Sequence, residues 1–169
     1  MLKIFGAAKR YPLVTFLILT KRIENALNWQ REDVLKWHPN IWIGTSVENG
    51  DYIQRIETLR RIDTPNRFIS FEPLIGKVGH VNMEGIAWII TGGESGGNRR
   101  YFDKRRALEL IQQAHALNIP VMHKQGSAFK PGEDRYLNGW TYDEYPAAWG
   151  IDATPQTAPQ QLSLFGGEL

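Results

Sequence analysis

The sequence predicts an α/β fold in which parallel strands alternate with crossover helices, followed by an irregular C-terminal extension. Five short segments are apolar almost without interruption, as is typical of strands that are buried on both faces. In three of the intervening segments, apolar residues recur at helical spacing. The chain of 169 residues is long enough for one domain with a sizeable core.

The predicted elements alternate in the order that right-handed crossovers of a parallel sheet require. Strands are predicted over residues 14–19, 41–47, 68–71, 86–90 and 119–122, and helices over 22–36, 51–62 and 103–117. Asp51 and Asp103 are the predicted N-caps, and Asn118 is predicted to end the third helix. No helix is predicted between the third and fourth strands, because glycines interrupt that link.

Beyond residue 128 the periodicity stops, and glycine and proline punctuate an aromatic stretch that contains Trp140, Tyr142, Tyr145 and Trp149. These rings predict a packed cap on the domain, with base stacking as the alternative. Residues 154–160 are polar and proline-bearing, a composition that buries no core. We therefore predict a domain over residues 1–150 and a flexible tail over 151–169.

Composition restricts the chemistry that this chain can perform alone. It contains no cysteine, so its own residues form no disulfide, no thiolate zinc site and no cysteine-ligated iron–sulfur cluster. Its four histidines lack metal-ligand spacing, and no metal site is predicted. Without an apolar run of about 20 residues or a signal peptide, the sequence predicts a cytoplasmic protein with no membrane partner.

Polar residues follow all five predicted strands, and parallel α/β proteins bind ligands beyond the carboxyl ends of their strands. Carboxylates and cations that meet at one edge perturb one another and bind polar ligands. The alternative is that they are caps and surface ion pairs where strands reach solvent. The predicted ligand-binding residues are Lys21, Glu48, Glu72, Glu94, Ser95, His123, Lys124 and Gln125.

A glycine-rich loop follows the fourth strand and leads into five basic residues between positions 99 and 106. Glycines allow backbone N–H groups to approach an anion, although the loop lacks the Walker and dinucleotide spacings. The alternative is a basic helix face that stays in water. The predicted phosphate-binding residues are Gly92, Gly93, Gly96, Arg99 and Arg100.

Five segments occur in a fixed order: FLILTKR at 16–22, PNIWIGTSVE at 39–48, RFISFEPL at 67–74, WIITGGESG at 88–96 and HKQ at 123–125. Together they resemble a phage- and prophage-associated family of uncharacterised function, itself similar to radical S-adenosylmethionine proteins. The resemblance covers most of residues 15–146 and implies an incomplete TIM-like barrel. It places Lys21, Glu48, Glu72, Glu94, Ser95, Lys124 and Gln125 at the family's motif positions.

Members of that family begin with a segment of three closely spaced cysteines, which in radical enzymes holds a 4Fe-4S cluster on S-adenosylmethionine. This chain has no such segment, so the resemblance implies the C-terminal two-thirds of the domain. Both cofactors are expected only if an adjacent reading frame or a partner chain supplies the cysteines. A partner chain is also expected to complete the barrel, because partial barrels expose strand edges.

The tail contains Gln161, Leu162, Ser163, Leu164 and Phe165, which resemble the peptide by which bacterial replication and repair proteins bind the sliding clamp. Apolar side chains of an exposed peptide enter a pocket while the glutamine forms a hydrogen bond at its edge. The alternative is that these residues fold back onto the domain as a terminal anchor.

The functional expectation is a radical-enzyme-like domain that binds or acts on nucleic acid or a nucleotide and is tethered to the sliding clamp. A non-catalytic module that binds a small ligand or phosphate is the second hypothesis. The third is a phosphate-handling enzyme that uses the glycine loop with Arg99 and Arg100. No nucleophile elbow or ordered Ser-His-Asp set supports a serine hydrolase.

Overall fold

The computed structural model describes residues 2–34 and 36–151, which form a mixed α/β fold of five strands and four helices. The helices are α1 (Leu2–Arg10), α2 (Ile23–Arg31), α3 (Gln54–Arg60) and α4 (Lys104–His115). The strands are β1 (Phe16–Thr20), β2 (Ile41–Ser46), β3 (Arg67–Phe71), β4 (Trp88–Gly92) and β5 (Val121–Gln125). Short 3-10 turns occupy Gly50–Tyr52 and Ala147–Trp149.

The five strands form one parallel sheet in the order β1-β2-β3-β4-β5, so each strand pairs with its neighbours in sequence. This confirms the predicted parallel α/β fold. The register places Leu17 opposite Trp42 and Phe68 opposite Trp88. Because parallel strands end at the same edge, the residues that follow β1 to β5 gather along one side of the sheet.

All four helices pack on one face of the sheet. Side chains alternate along each strand, and Ile41, Ile43, Ile69 and Val121 are fully buried in one cluster with residues of α1, α2, α3 and α4. Helices on a single face are the arrangement that successive crossovers of one hand produce when strand order follows sequence order. We call the opposite side the helix-free face.

The helix-free face carries the aromatic cluster of Trp42, Phe68 and Trp88. Trp149 of the C-terminal extension contacts Trp42 and Trp88 edge-on, with 5.0 Å between ring centroids in both pairs. A Cβ at Gly44 would come within 2.5 Å of the Phe68 ring, so glycine lets that ring lie over β2.

The predicted aromatic cap therefore divides into packed and exposed rings. Tyr145 packs with Trp149 beside Trp88, so these two extend the core. The Tyr142 ring lies 6.1 Å from that of His115, and Trp140 is half exposed.

The two edges of the sheet differ. The outer edge of β5 is bonded by the extension: the His123 N–H donates to the Tyr142 carbonyl at 2.7 Å, and the Glu144 N–H donates to the Val121 carbonyl at 2.9 Å. Strand β1 pairs only with β2 in the described part of the chain. The described residues therefore form an open sheet.

Several boundaries differ from the prediction. Helix α1 was not predicted; it buries Phe5 and Ala8, and the Phe5 ring lies 5.2 Å from that of Trp37. Helix α2 ends at Arg31, and β4 begins at Trp88 rather than at residue 86. Asn49, not Asp51, caps the turn before α3, whereas Asp103 accepts from the Arg105 N–H as predicted. Among the described residues no helix is long and apolar enough to cross a membrane.

Candidate ligand-binding site

A polar pocket of about 560 Å³ lies at the carboxyl ends of β3, β4 and β5. It brings together seven of the predicted site residues from three different strands and the loops that follow them. We call this cavity the rim pocket. It is lined by Glu72, Pro73, Gly93, Glu94, Ser95, Asn98, Arg99, Lys124, Gln125 and Pro131.

An ion pair crosses the floor of the rim pocket. Glu72 follows β3 and Lys124 lies in β5, with 3.2 Å between the Lys124 Nζ and a Glu72 carboxylate oxygen. Strand β4 runs between them, and a Cβ at Gly92 would lie 3.2 Å from the Glu72 carboxylate. Gly92 thus lets Glu72 reach over β4, because two strand spacings of about 4.8 Å separate β3 from β5.

A second ion pair closes the glycine-rich loop. Arg100 binds both carboxylate oxygens of Glu94, at 2.9 Å through Nε and 2.5 Å through Nη2, and its backbone N–H adds a further bond of 2.9 Å. The hydrogen bonds from Arg100 lower the pKa of Glu94 to about 2. Both groups therefore remain charged at neutral pH, and a ligand would meet them as a preformed pair.

Two glycine N–H groups of this loop form hydrogen bonds within the protein. The Gly93 N–H donates to the Gln125 carbonyl at 2.9 Å, and the Gly96 N–H donates to the carbonyls of Ala128 and Phe129 at 3.2 and 3.1 Å. A Cβ at Gly93 would lie 2.8 Å from the Gly126 carbonyl carbon. The N–H groups of Gly93 and Gly96 are thus already bonded.

The basic cluster is largely neutralised by neighbouring carboxylates. Besides Arg100, Lys104 pairs with Asp134, while Arg105 and Arg106 approach Asp103 at 3.1 and 3.8 Å. Arg99 donates to the Gly96 carbonyl at 2.9 Å and lines the rim pocket. Arg99 is therefore the member of this cluster best placed to meet an anionic ligand.

Gln125 ties the pocket wall together. Its amide donates to the Gly93 carbonyl at 3.0 Å and accepts from the Gly132 N–H at 2.8 Å. Gln125 therefore lines the rim pocket as predicted, and both its amide nitrogen and its amide oxygen are hydrogen-bonded to backbone groups. Its role in this arrangement is to hold the glycine loop against the C-terminal extension.

Lys21 and Glu48 form a separate cluster at the ends of β1 and β2, outside the lining of the rim pocket. One oxygen of Glu48 pairs with Lys21, and the other accepts from Arg55 at 3.0 Å. The Glu48 side chain is only 7% exposed. Burial alone would raise its pKa, but the hydrogen bond and charge of Lys21 together with Arg55 lower it.

His123 lies on the opposite side of β5 from Lys124, away from the rim pocket. It is fully buried, its ring stacks on Phe102 at 5.6 Å, and its Nδ1 lies 2.9 Å from the Thr91 hydroxyl. Burial lowers its pKa to about 4, although the charge of Asp134 acts in the other direction. Strict alternation along a strand was the signal that His123 and Lys124 face opposite ways.

Sequence reasoning missed several contributors to these clusters. Arg55, in the first turn of α3, binds a carboxylate oxygen of the buried Glu48, and Asn98 lines the rim pocket from the glycine loop. Pro73 and Pro131 also line it. The glycine motif pointed to Asn98, but no local pattern indicates that Pro131 of the extension folds over this edge.

The donor set does not fit an iron–sulfur cluster. The chain has no cysteine, and no three histidines, aspartates or glutamates of the described part are grouped so as to hold a metal ion. No cofactor is therefore bound by cysteines of this chain.

A parallel sheet with helices on one face and a polar pocket at its carboxyl edge defines an α/β protein built from βα repeats. The chain belongs to a family described as protein of unknown function (DUF5131), whose model matches residues 1–146. No curated protein and no solved structure matches the chain. The predicted clamp-binding residues 161–165 lie outside both the matched range and the described residues.

Proposed function

We propose that the chain is the ligand-binding portion of a radical-enzyme-like βα barrel that takes a nucleotide in the rim pocket. The observation that carries the proposal is the meeting of Glu72, Glu94, Ser95 and Lys124 in one cavity. Carboxylates suit ribose hydroxyl and amino groups, and ammonium and guanidinium groups suit phosphate. A nucleotide offers both kinds of group within a volume of this size.

The distribution of charge favours a small ligand over a duplex. Binding to a duplex backbone relies on cations that are free to displace condensed counterions. Here most of the basic cluster is paired with Glu94, Asp103 and Asp134. At the pocket wall stand Arg99 and Lys124, the latter paired with Glu72, so recognition of one or two phosphates is the better fit.

The barrel part of the proposal rests on topology. Strand order follows sequence order and the helices lie on one face, as in a segment of a βα barrel. Radical chemistry would need a cysteine-bearing segment from another chain or another part of the protein. Without such a segment, the same pocket supports the alternative of a non-catalytic binding module.

Calorimetric titration with adenosine and guanosine monophosphates and triphosphates, and with S-adenosylmethionine, tests the pocket. For whichever of these compounds binds the parent protein, we expect Glu72→Gln and Lys124→Met each to raise the Kd at least about tenfold. Each substitution removes a charge-assisted hydrogen bond. Glu84→Gln is the control, since that side chain is 83% exposed and lies outside the pocket lining.

Three outcomes would contradict this assignment. One is a parent protein that binds no member of the panel. Another is tighter binding by Glu72→Gln, which would mean that Lys124 merely attracts anions once its partner is removed. Equal affinities for the parent and both pocket variants would place the ligand elsewhere.

We further propose that the tail peptide binds the bacterial sliding clamp, on the strength of the sequence Gln161-Leu162-Ser163-Leu164-Phe165. Titration of purified clamp into the full chain is expected to show binding that Leu164→Ala/Phe165→Ala weakens at least about tenfold, since these side chains would fill the apolar pocket. Gln156→Ala, in the same tail, is the control. Absence of binding by the parent would reject the tether.

A further inference from the structure

Two exposed aromatic rings lie beside the rim pocket, outside its lining. Tyr101 is 79% exposed and Phe129 is 68% exposed, more than any other phenylalanine, tyrosine or tryptophan in the described part of the chain. Each ring leaves apolar area in water, and covering such area is favourable. Exposed rings on neighbouring segments are therefore candidates for contact with a flat ligand.

Two hydrogen-bonded segments carry these rings. We call them together the loop platform, which comprises residues 95–101 and 127–130. The Gly96 N–H donates to the Phe129 carbonyl at 3.1 Å, and the Ser127 hydroxyl donates to the Arg100 carbonyl at 2.6 Å. The backbone that carries both rings is thus held in place before a ligand arrives, which reduces the entropy cost of binding.

The loop platform adjoins the rim pocket. Arg99 lines the rim pocket two positions before Tyr101, and Pro131 lines it two positions after Phe129. Two residues of chain span at most about 7 Å, so both rings are close to the pocket wall. A strand that places one nucleotide in the rim pocket therefore passes the rings with its next nucleotides.

Tyr101 also borders a second cavity, of about 460 Å³, a volume in the range of pockets that hold small ligands. Lys104 and Arg105 line this cavity, but they pair with Asp134 and Asp103, which line it as well. A cavity whose charges are balanced suits an uncharged group better than a phosphate. A base stacked on the Tyr101 ring is such a group.

Each ring has a cation near it in the chain that no ion pair neutralises. Arg99 lies two positions before Tyr101, and Lys130 directly follows Phe129. The other basic side chains of the cluster pair with carboxylates, whereas in the described part of the chain no carboxylate forms an ion pair with the side chain of Arg99 or Lys130. Proteins that bind single strands combine such cations, which contact phosphates, with aromatic rings that stack on bases.

From these observations we infer that the loop platform binds single-stranded nucleic acid. Bases stack on Tyr101 and Phe129, and phosphates lie at Arg99 and Lys130. The inference rests on the proposed nucleotide site for one point, that one nucleotide of the strand occupies the rim pocket while its neighbours lie on the loop platform. A duplex does not fit, because its bases stack on one another and expose no face to the rings. Protein partners also contact aromatic rings, but around an apolar centre, whereas these rings have cations near them.

Fluorescence anisotropy with labelled oligodeoxythymidylate and oligouridylate tests the loop platform. We expect Tyr101→Ala and Phe129→Ala each to raise the Kd for the bound probe at least about fivefold, because each removes one stacking contact. The fold should persist, since both rings are exposed, and Tyr101→Trp should keep the parent affinity because it also stacks. Tyr11→Ala is the matched control: Tyr11 is 51% exposed and follows Arg10, but it lies near Asn40, at the opposite edge of the sheet.

Salt dependence tests the phosphate contacts. Each phosphate contact on a single strand contributes a slope of about −0.7 when the logarithm of the association constant is plotted against that of the salt concentration. Lys130→Gln should therefore make the slope less negative by about 0.7, whereas Tyr101→Ala should leave it unchanged because the ring carries no charge. An unchanged slope in Lys130→Gln would contradict the inference, since the phosphates would then lie at other cations.

Titration with the mononucleotide panel separates this inference from the rim pocket. We expect Tyr101→Ala/Phe129→Ala to keep the Kd of the parent for a mononucleotide, because neither ring lines the rim pocket. The inference is overturned if neither oligonucleotide binds the parent, if oligonucleotide binding survives the loss of both rings, or if the double variant loses mononucleotide binding equally. Ring-dependent oligonucleotide binding by a parent that binds no mononucleotide would support the loop platform and reject the rim pocket, so the two proposals fail separately.

Discussion

Replacing Glu48 by glutamine is expected to lower the free energy of unfolding by about 2 to 3 kcal/mol at pH 7. The two carboxylate oxygens of Glu48 are divided between Lys21 and Arg55. An amide offers only one oxygen, so its NH2 group would face a cation. Lys21 is 59% exposed, so its ammonium group can be solvated by water instead. Arg55 is only 18% exposed, so its guanidinium group would stay largely buried without a charged partner.

The matched control is Glu57→Gln, because Glu57 pairs with Arg60 at 3.0 Å but is 60% exposed. That change should cost less than about 0.5 kcal/mol. Urea unfolding of both variants and the parent measures the difference. Similar losses for the two substitutions would show that the burial of Glu48 does not govern its contribution.

The stability that Glu48 contributes depends on pH, and the direction of its pKa shift sets that dependence. The pKa of Glu48 is lowered in the folded protein, since Lys21 and Arg55 together outweigh the opposing effect of burial. Its contribution is therefore complete above the ordinary carboxyl pKa of about 4.3 and is lost as the pH falls through the folded value. The difference in unfolding free energy between the parent and Glu48→Gln should therefore become smaller as the pH is lowered.

The sheet could be predicted from sequence because its central strands are almost continuously apolar. Residues 41–47 and 68–71 are nearly unbroken apolar runs, and the structure buries the corresponding strands on both faces. Helix α1 was not predicted because a nine-residue helix has little stability of its own. Its packing depends on the contact of Phe5 with Trp37, which is distant in sequence.

The site was predictable to the extent that it depends on strand ends. Glu72, Glu94 and Lys124 follow or end neighbouring strands, and they do line one pocket. Loop geometry was not predictable: no local pattern indicates that Gly92 lets Glu72 cross β4 or that Gly93 packs against Gly126. The partner of Lys104 was also hidden, because Asp134 lies 30 residues further along the chain and meets it only through tertiary folding.

Buried His123 is expected to make the protein about 2 kcal/mol less stable at pH 5 than at pH 7. Burial lowers its pKa from 6.5 to about 4, so the folded protein holds it neutral while the unfolded chain protonates it. The charges around it are mixed, with Asp134 favouring protonation and Lys104 and Arg135 opposing it. Its contribution is thus complete above pH 6.5 and is lost as the pH falls towards 4.

His123→Asn should flatten this dependence between pH 7 and 5, because asparagine can keep a hydrogen bond to Thr91 but does not titrate. The variant will be less stable at every pH, since the loss of the ring leaves Phe102 without its stacking partner. The slope of unfolding free energy against pH, measured in urea, separates these effects. Parallel curves for the parent and His123→Asn would mean that the folded protein takes up the His123 proton without a loss of stability.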